Sequence, residues 1–454
     1  MTRAARRTLD SLTVPNYRRY FAGQIVSITG NWMQMVAEAW LVLKLTHSGA
    51  DVGITTGLQF LPMLLLGALG GVLIDRVSDK RRLLMITQTL MAAPAVTLWA
   101  LTASGVVQVW MVWLIVLLRG TILTVDNPAR QTFVMDLVGP DKVVNAVSLN
   151  SVIIHSARIT GPMFAGGLIA GLGVAPCFLF NALSFVAMIV ALWLMDPAQL
   201  HPAERAGRER GQVRAAIRTV AARADLRIPL LMMVAIGTFS FNFQVLLPLF
   251  AKFTWHGTAT TYALLMAAMG VGSITGALAA GHRGRVTPQL LVGAATLFGL
   301  SQVVAALAPT QAVQMAILAI VGAGSVTFAA GVNSSLQLGA GALRGRVMAL
   351  YSVVFLGSTP IGAPIVGAIA EGAGPRYGLL LGGAAALATA FWAATAYRRA
   401  GAWPQSNSNR SFRPAIASRV SVSPPPRRSS ASTCGPEPRF SRSGSAAGSR
   451  AARG

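Results

Sequence analysis

Long apolar runs separated by short polar intervals dominate this chain. Twelve of them are near the roughly 20 residues that a helix needs to cross a bilayer. They fall at about 20–45, 51–74, 82–104, 107–127, 143–170 and 174–195, then at 228–253, 258–281, 287–307, 310–333, 345–370 and 376–397. The stretch from Arg119 to Gly167 stands out, because it carries Arg119, Asp126, His155 and Arg158 among its apolar residues. A charge at mid-bilayer costs about 3 kcal/mol, so such residues turn toward a protein interior or a wet cavity. A polar hinge is expected from Asp126 to Asp141, bounded by Pro128 and Pro140. The layout returns 202 residues later: Gly322 repeats Gly120, Pro364 repeats Pro162, and GRVMALYSVV echoes KVVNAVSLNS. The pattern predicts an all-α integral membrane protein, with twelve transmembrane helices in two pseudo-symmetric six-helix bundles. A polar-hinged helix pair repeated in both halves reads as a transporter.

Composition agrees. Of 454 residues, 54% are hydrophobic and 11% charged, against roughly a quarter charged in soluble proteins. Lipid must therefore solvate much of the surface. The net charge of +24 comes almost wholly from arginine, with only four lysines. These cations sit in short loops and a tail, which suits the anionic inner face of a membrane and argues against nucleic acid as a partner. The alternate loops near 46–51, 104–107, 171–174 and 308–310 hold no Lys or Arg. That asymmetry predicts a multi-pass protein of the inner (plasma) membrane with both termini cytoplasmic. The opening residues read as a polar arm, not a cleavable leader.

Five regions follow: a cytoplasmic arm (1–19), a six-helix bundle (20–195), an arginine-rich cytoplasmic linker, partly amphipathic (196–227), a second bundle (228–399) and a disordered basic tail (400–454). The tail holds nine arginines and one glutamate among Ser, Pro and Gly, so it lacks the residues of a core. Cys177 and Cys434 make no metal spacing and no disulfide framework. No metal or cofactor is expected. A GxxxxGK[ST] run is absent, which argues against a nucleotide-driven pump, and no acid, His or Cys cluster suggests an enzyme.

Candidate chemistry lies mostly in the first half. Gln24, Ser27, Asn31, Gln34 and Glu38 recur at intervals of 3 and 4 and share one helix face. That stripe reads as a cavity wall, with Glu38 as a protonatable or substrate-contacting group. Arg119 and Asp126 share a face of the fourth span, and Ser148, Ser151, His155 and Arg158 share a face of the fifth. Glu38 is expected to pair with Arg119 or Arg158, which lowers the cost of burying either charge. Two arginines against one glutamate tilt the cavity toward anionic or polar-anionic substrates. In the second half, Thr238, Asn242 and Gln244 stand among Phe239, Phe241 and Phe243, and suit an amphipathic ligand. At the inner end of the second span, Asp75 is followed by Arg76, Lys80, Arg81 and Arg82. An acid there can pair with cations or with a helix N-terminus and act as a latch.

The run Gly71-x-Leu73-x-Asp75-Arg76 followed by Lys80-Arg81-Arg82 resembles the loop motif of the major facilitator superfamily. NPARQTF, LVGPDKVVNAVSLNS, ARITGP and FLFNALSFVAMIVAL resemble its drug and siderophore exporter branch, the enterobactin-exporter-like group. The resemblance implies the major facilitator fold, alternating access and export of a small molecule, driven by protons as the coupling ion. It also implies a conformational latch at Gly71, Asp75, Arg76 and Arg81, and a helix 5 antiporter element at Gly161, Pro162, Gly166 and Gly167. An importer of a small organic solute with the same fold is the alternative reading, because fold does not set direction.

Overall fold

The computed structural model describes residues 10–77, 79–201, 212–282 and 287–401; within these helices the side chains of 68–73, 75, 76, 212–216, 280–282 and 342 are outside the description. Among the described residues the chain is helical throughout, with no strand. The helices of the first half are α1 (Pro15–Thr46), α2 (Gly49–Arg76), α3 (Lys80–Ala103), a continuous run Val109–Leu172, and α6 (Ala175–Trp193). That run contains non-helical backbone at Gly139 (φ 70°, ψ 178°), so it is two helices, α4 (109–138) and α5 (140–172). A side chain is scarcely tolerated in that backbone region, and Pro140 then supplies a pre-set φ for the first turn of α5.

A helix α7 (Gln212–Ala222) precedes the second half. There follow α8 (Ala224–Phe239), α9 (Phe243–Leu249), α10 (Ala259–His282), α11 (Pro288–Ala306), α12 (Gln311–Gly339), α13 (Arg344–Gly357), α14 (Thr359–Gly372) and α15 (Pro375–Arg399). Starts are locally encoded. Ser48, Asp79, Thr287 and Thr310 accept the backbone N–H three residues on, and proline opens α1, α11 and α15. Among the described residues, ten stretches are long and apolar enough to cross a membrane. The Val109–Leu172 run is one of them and has two crossing lengths, whereas α1 is too polar to be among the ten. Large apolar side chains such as Leu65, Phe164 and Phe391 are well over half exposed, as a lipid-facing surface requires.

The expected boundaries need three corrections. No hinge spans Asp126 to Asp141: α4 runs on to residue 138, through Pro128, and the break is confined to Gly139. The seventh run is interrupted at Ser240–Asn242, where α8 stops and α9 begins, and the eleventh is interrupted at Ser358. Helical periodicity survives such breaks, so apolar patterning alone does not reveal them.

The sequence repeat has a packing meaning. A Cβ on Gly120 would run into the backbone carbonyl of Gln59 on α2, and one on Gly322 into that of Met269 on α10. Both glycines let two helices approach backbone to backbone at matching places in the repeat. Contacts between the chain's halves use small residues too. Gly53 of α2 faces the Ala363 carbonyl of α14, and Gly166 of α5 faces Ala263 of α10.

Candidate functional site

Three polar groups are built into the apolar helices of the first half. The first joins α1, α4 and α6. Arg119 Nη1 donates to Glu38 Oε1 at 2.8 Å, and Gln34 Nε2 donates to the same oxygen at 2.7 Å. Asn181 Nδ2 donates to Gln34 Oε1, and Ser184 Oγ donates to Asn181 Oδ1 at 2.9 Å. Arg119 and Glu38 are each 2% exposed. Asn181 stands in the mostly apolar FLFNALSFV stretch of α6 and gives the stripe of α1 a partner. The charges of Arg119 and Glu38 offset each other inside the bundle, where neither would be tolerated alone.

The second group lies nearer the Gly139 end of α4. Asp126 accepts from Thr87 Oγ1 (2.6 Å), Gln88 Nε2 (2.7 Å) and Arg130 Nε (2.6 Å). Arg130 also donates to Gln24 Oε1, and at 3.3 Å to Ser27 Oγ. Arg130 is thus no loop charge, as its place in the expected hinge implied; it is a buried member of α4. Its signal in the sequence is the i, i+4 spacing from Asp126, legible only once the helix is known to continue past Pro128. Thr87, Gln88, Asn181 and Ser184 carry no charge and stand among apolar residues, so nothing in the pattern marks them.

The polar stripe of α1 is therefore enclosed. Gln24, Ser27, Gln34 and Glu38 are all buried against α4, α5 or α6, where an open cavity wall was expected. Asn31 is half-buried, and its Nδ2 donates to Ser27 O of its own helix at 2.9 Å. A stripe of amides at helical period packs inward here because neighbouring helices present complementary donors and acceptors.

The third group is Arg158 with Trp32 and His155. The guanidinium of Arg158 lies over the Trp32 ring, 5.2 Å from its centroid. Gly161 makes this approach possible, because a Cβ there would meet Trp32 Cβ and the α1 backbone. Pro162 and Gly166 are buried behind it, while Gly167 faces open space. Arg158 Nε and His155 Nδ1 are buried atoms without a hydrogen-bond partner. Arg158 does not pair with Glu38; Arg119 takes that place.

In the second half, no charged residue is buried among the described residues. Asn242 sits at the α8–α9 break, 2% exposed, where its Nδ2 donates to Thr238 O at 2.7 Å. Its contacts do not join it to the Glu38 or Arg158 groups. Phe241 packs on Phe298 and Phe355 (centroids 5.2 and 5.8 Å), so these rings fill the space beside the break. Of the latch residues, Gly71, Asp75 and Arg76 have side chains outside the described residues. Arg81 donates to the carbonyls of Leu192 and Trp193 (2.7 and 2.9 Å), closing the C-terminus of α6. Lys80 pairs with Asp136 at 2.7 Å. No group of three or more His, Cys, Asp or Glu able to hold a metal occurs among the described residues.

A family model described as transmembrane secretion effector matches residues 7–423. The chain belongs to this family of the major facilitator superfamily. The transporter is similar to the staphyloferrin A transporter of Staphylococcus aureus, 27% identical over 286 residues, covering 62% of this chain and 70% of that protein. It is also similar to the enterobactin exporter EntS of Citrobacter koseri, 26% identical over 371 residues, covering 79% and 86%. Among solved structures it resembles a bacterial homolog of the human lysosomal transporter Spinster in an inward-facing, unoccupied conformation, with TM-score 0.66 and 13% identity over 86% of this chain and 99% of that one. That likeness is one of fold. The transporter is a multi-pass membrane protein of the efflux type, and its relatives are carriers, not enzymes.

Proposed function

We propose that the protein is a secondary-active exporter of a small organic molecule, of the siderophore or drug-like class, driven by proton entry through alternating access. The observation that carries the coupling part is the buried Glu38–Arg119 pair. A carboxylate held in an apolar bundle by one guanidinium and one amide is where a proton can do most work. Protonating it breaks the charge balance and frees Arg119. The second half holds no buried charge among its described residues, so coupling rests on the first. We further propose twelve crossings in two bundles, 20–195 and 228–399, with both termini cytoplasmic. The split of Val109–Leu172 at Gly139 and the length of α1 support the count. The alternation of arginine-rich and arginine-free loops supports the orientation. Asp75 and Arg76 are proposed as part of the latch between bundles, and His155 and Asn242 as cavity residues.

The test is transport in inside-out vesicles with an imposed proton gradient, scanning a panel of siderophores, dyes and antibiotics. Accumulation that collapses with a protonophore is the expected result. Accumulation unaffected by the protonophore would remove proton coupling. Uptake only in right-side-out vesicles would reverse the direction.

A further inference from the structure

Three arginines lie within α4 and α5, and their charges are handled unequally. Arg119 is neutralised by Glu38, and Arg130 by Asp126. Arg158 has no carboxylate within 4.0 Å among the described residues, and its buried Nε has no acceptor. A cation–π contact offsets part of the cost of a desolvated guanidinium, but it does not supply a counter-charge.

The surroundings of Arg158 are open on one side. Val144, Ser148 and Ser151 precede His155 and Arg158 on one face of α5. The first three are exposed, and His155 and Arg158 are half-buried. The face is thus uncovered as far as Ser151 and partly covered at His155 and Arg158. Beyond that point α5 packs against α10, with Ile159 beside Gly270 and Gly166 beside Ala263. Trp32 closes one side of the guanidinium, and His155 Nδ1, also without a partner, lies one turn before it. A planar guanidinium fork matches a carboxylate in a bidentate manner, and it repels cations.

We infer that Arg158, walled by Trp32, is the anchoring point for an organic carboxylate on the transported molecule. This rests on the transport reading and names the charge class of its substrate. Trp32 offers an apolar face to the body of the ligand, and His155 a second polar contact. Gly161 is the positioning residue, because it sets how closely α5 approaches α1.

The experiment is calorimetric titration of the purified full chain in phosphatidylcholine nanodiscs with two probes of matched shape, 2-naphthoate and neutral 2-naphthamide. Wild type should bind naphthoate at least tenfold more tightly than the amide. Arg158→Gln should weaken naphthoate about tenfold and leave the amide unchanged, while Arg158→Lys should lose less. Trp32→Leu, which keeps the charge, should weaken both probes and preserve the preference. Equal affinity for the two probes in wild type, no naphthoate binding, or an undiminished preference in Arg158→Gln would each overturn the proposal. Should Arg158→Gln fail to fold, the wild-type preference and its persistence in Trp32→Leu still decide. The titration is repeated in phosphatidylglycerol nanodiscs. Retained naphthoate binding supports a solute site, and loss of binding overturns it in favour of a lipid headgroup at Arg158. Vesicle transport separates this inference from the one beneath it. Proton-driven export of neutral compounds only, unaffected by Arg158→Gln, sinks the carboxylate site and keeps the exporter. Arg158-dependent naphthoate binding without any flux does the reverse.

Discussion

Replacing Glu38 by Gln keeps the shape of the side chain and removes its charge. Arg119 Nη1 lies 2.8 Å from Glu38 Oε1, and the two side chains are 2% and 3% exposed. Removing one partner of such a pair costs about 3–5 kcal/mol, chiefly because the surviving charge stays buried without compensation. The carboxamide oxygen of Gln can still accept from Nη1, so Glu38→Gln belongs near the lower end, about 3 kcal/mol. Arg119→Gln leaves the carboxylate facing only the amide of Gln34, and belongs at about 3–4 kcal/mol. Glu38→Gln combined with Arg119→Gln removes both charges and both desolvation penalties. That double variant should lie within about 1 kcal/mol of wild type, far from the sum of the single losses. SDS-driven unfolding in mixed micelles, run on all four proteins, measures the cycle. A double variant as unstable as the singles added together would refute the pairing argument. The same four proteins test coupling: the double variant should be stable and still fail to move substrate on a proton gradient. Normal proton-driven flux in it would remove Glu38 from the mechanism.

Gly120→Ala and Gly322→Ala should each cost about 1–3 kcal/mol by forcing α4 from α2 and α12 from α10, while Gly167→Ala, facing open space, should cost nothing measurable in the same unfolding assay. Asp126→Asn should destabilise by about 3 kcal/mol, because Arg130 loses its counter-charge, and adding Arg130→Gln should recover most of that loss in thermal unfolding. Gly139→Ala should lower the unfolding temperature and slow transport, since φ of 70° with ψ of 178° is strained for any residue with a Cβ; unchanged values in both measurements would show that the α4–α5 join relaxes freely. Removing residues 401–454 should leave membrane insertion and flux intact, judged by membrane fractionation and vesicle uptake, because a composition this rich in Ser, Pro, Gly and Arg holds too few apolar residues to build a core.

Much of the architecture was legible from one-dimensional patterning. A crossing helix needs only length and apolarity, so the runs and their class follow directly from the chain. Gly120 and Gly322 could be matched as repeats, although their purpose as backbone contacts became visible only in the packing. The helix breaks were less legible. The interruption at Ser240–Asn242 has no proline at its centre and leaves the apolar pattern intact. The polar interval around Arg130 looked like a loop, because charge and proline usually end a span; inside a bundle that supplies Asp126, Gln24 and Ser27, the helix continues.

The site divides in the same way. By itself the sequence determined which charges must be handled: Glu38, Arg119, Asp126 and Arg158 stand in apolar surroundings, and the solvation penalty of lipid demands a partner for each. Only the tertiary structure decided which partner each one takes. Arg119 meets Glu38, Arg130 meets Asp126, and Arg158 meets the ring of Trp32. Helical spacing says which residues share a face, but the rotation and approach of neighbouring helices say which faces meet. Here those are set by small residues such as Gly161, where one missing Cβ brings α5 against α1 and places a guanidinium over an indole.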